Sequence, residues 1–413
     1  MLSVFAVASC SVVLACSATQ DLGGDGAGDG GGAGDGAAGA GDGGSDGDGG
    51  STGPEGGTSL LEAGSDGGGA VGPGPKLVAG GQGFTCAITQ AGAVKCWGSD
   101  FFGNLGDGQK LNNPVSMPTP VKNLTSGVVA LSGRFRHTCA LTSGGAVYCW
   151  GQSVSGETGT ANDTSVPALV PGLGAGVAEI AAGEHHTCAR MTTGAVKCWG
   201  TNLTHELGND SVVGNSVTPV DTQITSGALA LVAGTSHTCV LLASGVSCWG
   251  QDNNDQLGSA ATTNTATPVA IPGTAGAVDI SASDNSTCVL DATGAVKCWG
   301  APLGPYNATA WTPAGLRSLM PGGYVHMCAI TQSGALSCWG GNLDGELGDG
   351  THNGTGPTGP AGISAVSAAA GQDFTCVRTI PYGMTCFGVN SDFQLGSTRA
   401  TPDTYTPAPV AGF

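Results

Sequence analysis

Cys86-Ala-Ile-Thr-Gln-Ala-Gly-Ala-Val-Lys-Cys96-Trp97-Gly98 decides the fold, because close variants of it recur along the chain. The later cysteine pairs are Cys139/Cys149, Cys188/Cys198, Cys239/Cys248, Cys288/Cys298, Cys328/Cys338 and Cys376/Cys386, and the seven pairs take 14 of the 16 cysteines. A phrase returning every 40 to 53 residues marks a repeat architecture in which each copy is one supersecondary unit. Inside the copy, Gln90-Ala91-Gly92 reads as a three-residue hairpin loop ending in a left-handed glycine. That loop sets Ile88 opposite Val94 and Cys86 opposite Cys96. The cysteines then fall at a non-hydrogen-bonded position, where Cα atoms lie about 4.5 Å apart, within disulfide reach. In the fourth copy a two-residue turn at Ala243-Ser244 still brings Cys239 opposite Cys248.

The expectation is seven cross-strand disulfides: Cys86–Cys96, Cys139–Cys149, Cys188–Cys198, Cys239–Cys248, Cys288–Cys298, Cys328–Cys338 and Cys376–Cys386. Free thiols packed between the repeats are the alternative. A metal set that adds His137 is set aside, because the matching slot holds Phe84, Ser286 and Phe374 in other copies.

An apolar stretch precedes each hairpin (Val177-Ala-Glu-Ile180), and a loop commonly ending in Leu-Gly follows it (Leu207-Gly208). Next comes a proline-bearing segment such as Thr119-Pro120-Val121, which reads as an edge strand because a missing N–H is tolerated there. About four short strands per copy, repeated radially, make a β-propeller. The expected fold is all-β, a seven-bladed propeller of four-stranded antiparallel blades over 76–413.

Gly183-Glu-His-His-Thr-Cys188 with Gly194-Ala-Val-Lys-Cys-Trp-Gly200, and Gly334-Ala-Leu-Ser-Cys-Trp-Gly340, resemble the regulator of chromosome condensation repeat. The resemblance covers 76–413. It implies seven blades and, for the founding eukaryotic members, guanine-nucleotide exchange on a small GTPase. Secreted β-lactamase-inhibiting proteins of similar fold add inhibition of an extracellular enzyme. Because the chain's ends fall at equivalent points of the repeat, strands from both termini are expected to share a blade and close the ring. The fifth copy is short after Gly300 and predicts a notch in the rim, and the seventh has Phe387 in place of Trp.

Residues 1–20 read as a signal peptide. Leu2 to Ala15 is mostly apolar but too short to span a bilayer, and Val13-Leu14-Ala15-Cys16 resembles a lipobox that would lipidate Cys16. Residues 21–75 hold 25 glycines, ten acids and no base, a composition that cannot offset chain entropy and predicts a disordered linker. The chain is therefore expected to be exported to the cell envelope, as an outer-membrane lipoprotein facing the periplasm or the exterior. A lipid anchor would be its only membrane contact. The repeat body carries 20 acids against 12 bases and shows no basic stripe, which argues against nucleic-acid binding.

No catalytic motif survives inspection. Gly-x-Ser-x-Gly occurs at Gly43 to Gly47 and Gly49 to Gly53, inside the linker, where the strand-turn-helix of a nucleophile elbow is missing. No phosphate loop or His-Glu-x-x-His is present. No catalytic residue, cofactor or metal ligand is expected. His137, His186, His237 and His326 share one repeat slot and read as structural groups bonded to neighbouring backbone. Function is sought where the copies differ, in the two residues before that slot, which all fall on one face of the ring. The expected partner face is Phe135, Arg136, Glu184, His185, Asp284, Asn285, Tyr324 and Asp373. Together these readings describe a monomeric, non-catalytic module that binds a protein or a glycan, with nucleotide exchange and enzyme inhibition as alternatives.

Overall fold

A computed structural model describes residues 76–258, 263–301, 315–354, 356–380, 383–397 and 403–413. The signal, lipobox and linker readings fall on 1–75, outside the described residues. So does the shortened tail of the fifth copy at 302–314.

Blade 1 comprises an inner strand Val78–Gly80, a hairpin of Phe84–Ile88 and Val94–Gly98, and an outer strand Val115–Pro120, antiparallel and in sequence order. The pattern recurs in seven sheets. Five have four strands. Blades 5 and 6 have three among the described residues, and in blade 6 a bridge between Cys338 and Thr358 stands at the outer position. The described residues contain no helix. The molecule is a seven-bladed, all-β propeller.

Each hairpin has the register its loop dictates. Ile88 faces Val94 and Cys86 faces Cys96, with Gly92 at φ 74°. In blade 4 Leu242 pairs with Gly245 across the shorter turn, and Cys239 still faces Cys248. All seven cysteine pairs are joined as disulfides, with Cα–Cα separations of 4.0 to 4.1 Å.

The tryptophan and glycine of the phrase have different tasks. Trp150, Trp199, Trp249 and Trp299 donate Nε1–H to the carbonyls of Asn104, Glu157, Glu206 and Gln256 in the preceding blade, at 2.8 to 2.9 Å. Four of the six tryptophans of the phrase are among the largest fully buried side chains, and these close wedges of core between neighbours. Gly98 adopts φ 104°, and a Cβ there would lie 2.3 Å from the Gly83 carbonyl oxygen. Only glycine permits that approach, which lets Ser99 N–H donate to Gly83 O at 2.8 Å. The same bond runs from Gln152 to Arg136 O and from Val389 to Asp373 O.

The core is therefore divided among the blade junctions. One cluster joins Val121 of blade 1 to Leu131 and Trp150 of blade 2, and another joins Trp97 of blade 1 to Phe374 and Leu395 of blade 7.

Ring closure differs from the expectation. The termini do not share a blade: Val78–Gly80 stays in blade 1 and Thr404–Pro409 in blade 7. The propeller begins on an inner strand and ends on an outer one, so the first and last copies each fill a four-stranded blade of their own. The 7–1 junction closes as the others do, with Trp97 Nε1–H and the Thr85 hydroxyl both donating to Gln394 O at 2.8 Å. Leu77 N–H adds a bond to Ser367 Oγ at 3.2 Å.

Candidate interaction face and central channel

The seven inner strands surround a central cavity of about 260 Å³. Each inner strand has one edge facing the neighbouring blade, and its N–H groups need acceptors. Side chains supply several of them. Ser132 Oγ accepts from Ala182 N–H (2.9 Å), Glu179 Oε2 from Leu231 N–H (3.0 Å), and Asp279 Oδ2 from Leu319 N–H (2.7 Å). The channel acids are thus first of all ties between blades. Lys76 Nζ reaches Glu179 at 2.7 Å, and Arg190 adds a second cation to Glu179 at 3.0 Å. Burial pushes the Asp279 carboxyl up to about 7, against its two backbone bonds and the Lys76 charge. Nearer the mouth, Arg134 of blade 2 crosses the channel to pair with Asp284 of blade 5 and donates to Ala282 O and Gly322 O at 3.2 Å.

The expected partner residues stand at this mouth. Phe135, Glu184, Asp284 and Tyr324 line the channel rim together with Gln82, Thr235 and Gln372. Backbone bonds link them from blade to blade: Gln82 N–H to Phe135 O (2.6 Å), Glu184 to Thr235 O (3.1 Å), Thr235 to Asp284 O (2.9 Å) and Tyr324 to Gln372 O (3.3 Å). Gln372 N–H to Gly81 O (3.3 Å) carries the ring across the 7–1 junction. At the 2–3 junction Phe135 takes φ 50°, and its ring meets His185 edge-on at 5.2 Å. Arg136, His185, Asn285 and Asp373 follow one position on, each with its carbonyl held by the N–H after the phrase glycine. Their backbones are fixed while their side chains differ from blade to blade.

The face has two characters. Around blades 1 to 3, Arg136 lies 4.8 Å from the Phe102 ring centroid and 4.6 Å from that of Phe135. His185 contacts Glu157 at 3.5 Å and Glu184 at 3.6 Å, and the Glu157 bond raises its pKa against the cost of burial. Around blades 6 and 7, Asp344, Glu346 and Asp373 bring carboxylate oxygens within 4.8 Å of one another. Burial, reinforced by the Asp344 and Asp373 charges, lifts Glu346 to about 6, and Asp373 rises by burial and then by Asp344 and Asp284. Glu346 also accepts Asp344 N–H at 3.0 Å.

The sequence reading missed Arg134 by one position. That slot is glycine at 81, 183, 234, 323 and 371, so a lone arginine there was a visible anomaly. It also missed Glu157, Asp344, Glu346 and Phe102, which come from the loops after the phrase. The loop residue before Leu-Gly, acidic at 206 and 346, was the available hint.

Among the described residues the slot histidine rings bond threonine hydroxyls rather than backbone, which corrects that expectation. His137, His186, His237 and His326 reach Thr187, Thr238, Thr287 and Thr375 of the next blade through Nε2, at 2.8 to 3.0 Å. The Thr187 hydroxyl donates in turn to Glu157 O (2.8 Å), so it accepts from the Nε2–H of His137. Complete burial lowers His186 to about 3 and His137 to about 4. A folded value below the ordinary 6.5 gives stability that is present above 6.5 and lost as pH falls toward the folded value. The raised acids act in the opposite sense, so the measurement is a difference. His186→Gln should lose about 3 kcal/mol less than the native chain between pH 7 and pH 4, read from denaturant midpoints. Parallel pH curves would refute the buried neutral histidine.

A family model of the regulator of chromosome condensation (RCC1) repeat matches residues 76–104, 129–157, 177–204 and 277–302, and a second model of that repeat matches 144–190. The ultraviolet-B receptor UVR8 of Arabidopsis thaliana is 33% identical over 88 residues, 21% of this chain. The match spans 20% of that relative's length. Yeast RCC1 (Prp20), solved bound to Kap60, superimposes with a TM-score of 0.67 at 19% identity over 83% of this chain and 85% of that one. Human WBSCR16 gives 0.61 at 19% identity over 73% of this chain and 86% of that one. Matched repeats and a shared fold agree with the geometry: this chain carries RCC1 repeats in an RCC1-like seven-bladed β-propeller.

Proposed function

We propose that this chain is a non-catalytic protein-interaction module that binds its partner through the channel-mouth face. One observation carries the reading. Around the mouth the backbone is held by the same bonds in blade after blade, while the side chains it presents change from Arg136 to His185 to Asn285 to Asp373. A constant frame with unlike side chains is how a rigid scaffold displays a recognition surface. Tyr324, 52% exposed, and Arg136 are of types enriched at binding hot spots. Prp20p, of similar fold, is described with binding properties toward Gsp1p and histones, which supports a partner-binding role here by analogy only.

The disulfides fit an oxidising compartment, and among the described residues no helix is long and apolar enough to cross a membrane. The envelope address adds a lipid on Cys16 and a 21–75 tether. Palmitate labelling that vanishes in Cys16→Ser tests that part. For the face, crosslinking capture from intact cells should return a protein whose yield falls at least roughly tenfold with Arg136→Ala or Tyr324→Ala, as hot-spot truncation does. Equal capture by the native chain and both variants would overturn the reading.

A further inference from the structure

The Arg136 neighbourhood is specific enough to name what it takes. Nε of Arg136 donates to Gln82 Oε1 at 2.8 Å, two phenyl rings flank the guanidinium, and Gln152 N–H and Asn104 Nδ2 both donate to the Arg136 carbonyl at 2.9 and 3.1 Å. Backbone and side chain are thereby both held in place. Lys76, Arg134, Arg190 and Lys197 each pair with a carboxylate, whereas Arg136 pairs with none among the described residues. Its Nε is engaged, and the outer fork of the guanidinium is the part that matches a carboxylate bidentately.

The loop slot four residues after the phrase tryptophan, next in the chain to Phe102 and two residues beyond Gln152, carries an exposed apolar side chain on three consecutive blades. Phe101 is 50% exposed, Val154 64% and Leu203 78%. A cation held against aromatic rings, in loops whose neighbouring positions expose apolar side chains, is complementary to an anion that sits next to an apolar group. The nearby Glu157 and Glu184 do not repel such a ligand unopposed, because both lie against His185.

We infer that Arg136, Phe101, Phe102 and Phe135 form a subsite for a partner-protein segment that presents an Asp or Glu carboxylate beside an aromatic or aliphatic side chain. The carboxylate takes the free fork of Arg136, and the apolar neighbour covers the Phe101–Val154 side. This inference rests on the interaction reading above and narrows it to one chemistry at one place on the face.

The probes are two capped tripeptides, acetyl-Phe-Asp-Leu-amide and its Asn analogue, titrated into the full chain to about 10 mM, beyond the millimolar range of weak ligands. The readout is the Arg136 Nε–Hε resonance together with the backbone amide resonances of Gln82, Phe102 and Gln152, which remain in the Arg136 variant. The Asp peptide should shift the Arg136 resonance with an affinity roughly tenfold above the Asn peptide. In Arg136→Gln, with unchanged near-ultraviolet circular dichroism, the two peptides should bind alike, and Phe135→Ser should weaken the Asp peptide while Arg136 remains. No shift, equal affinities in the native chain, or an Asp preference that survives Arg136→Gln would overturn the subsite. So would a shift of the same resonance on raising protein concentration alone, which would assign the patch to a second copy of this chain. A partner whose capture depends on Tyr324 but not on Arg136 would sink this subsite and leave the broader interaction face standing.

Discussion

Reduction should unfold this protein. Each disulfide closes a loop of about ten residues within one hairpin, and the chain-entropy model gives about 2–3 kcal/mol per such bridge. The seven loops follow one another without nesting, so their contributions combine to roughly 15–20 kcal/mol. Net stabilities of folded domains are about 5–15 kcal/mol. A chain reduced and alkylated at neutral pH should therefore lose its cooperative melt and its near-ultraviolet signal. The unreduced chain should offer no reactive thiol among the fourteen paired cysteines, even when denatured. A reduced chain melting within a few degrees of the oxidised one would show that the blades stand on packing alone.

The second large effect is expected at the tryptophan of the phrase. Trp199 is fully buried among Cys139 and Val147 of blade 2 and Ile180 of its own blade, and it donates to Glu157 O at 2.8 Å. Trp199→Ala leaves a cavity at a blade junction and should cost about 3–5 kcal/mol, as such truncations do. Trp199→Phe should be far milder. It loses one hydrogen bond, worth about 1 kcal/mol, and the Glu157 carbonyl keeps the Thr187 hydroxyl. The chain itself contains this substitution. Phe387 fills the same slot in blade 7, fully buried, and the Glu346 carbonyl there accepts from Thr375 at 2.8 Å. Urea midpoints at constant slope measure both variants. An alanine variant within about 1 kcal/mol of native would mean that the junctions do not depend on this ring.

The hairpins were legible because their geometry is local. A loop of known length fixes which residues face each other, so Cys86/Cys96 and Ile88/Val94 follow from counting. The junctions were not. That Trp150 reaches Asn104, or that His137 reaches Thr187, depends on how one blade sits against the next, and spacing along the chain holds no such distance. Ring closure failed for a related reason. The phase of the repeat was read, but the first and last copies each fill a four-stranded blade of their own. At the mouth, the one-face placement of the differing pairs followed from the repeat. Their neighbours Phe102, Glu157 and Glu346 arrive from separate loops, and only the fold brings those loops beside Arg136, His185 and Asp373.

The opposite face supplies the control for the central claim. The hairpin tips there, such as Gln90-Ala91, Thr192-Thr193 and Gln332-Ser333, are small or uncharged and lie at the far end of the same strands. The decisive measurement compares the affinity of a captured partner for the native chain, for a mouth variant (Phe135→Ser, Arg136→Gln, Tyr324→Ser) and for a tip variant (Gln90→Glu, Thr193→Glu, Ser333→Glu). The mouth variant should bind at least roughly a hundredfold more weakly, the scale of losing two or more hot spots, while the tip variant binds as the native chain does. Undiminished binding by the mouth variant, with loss confined to the tip variant, would contradict the claim that this propeller recognises its partner at the channel mouth.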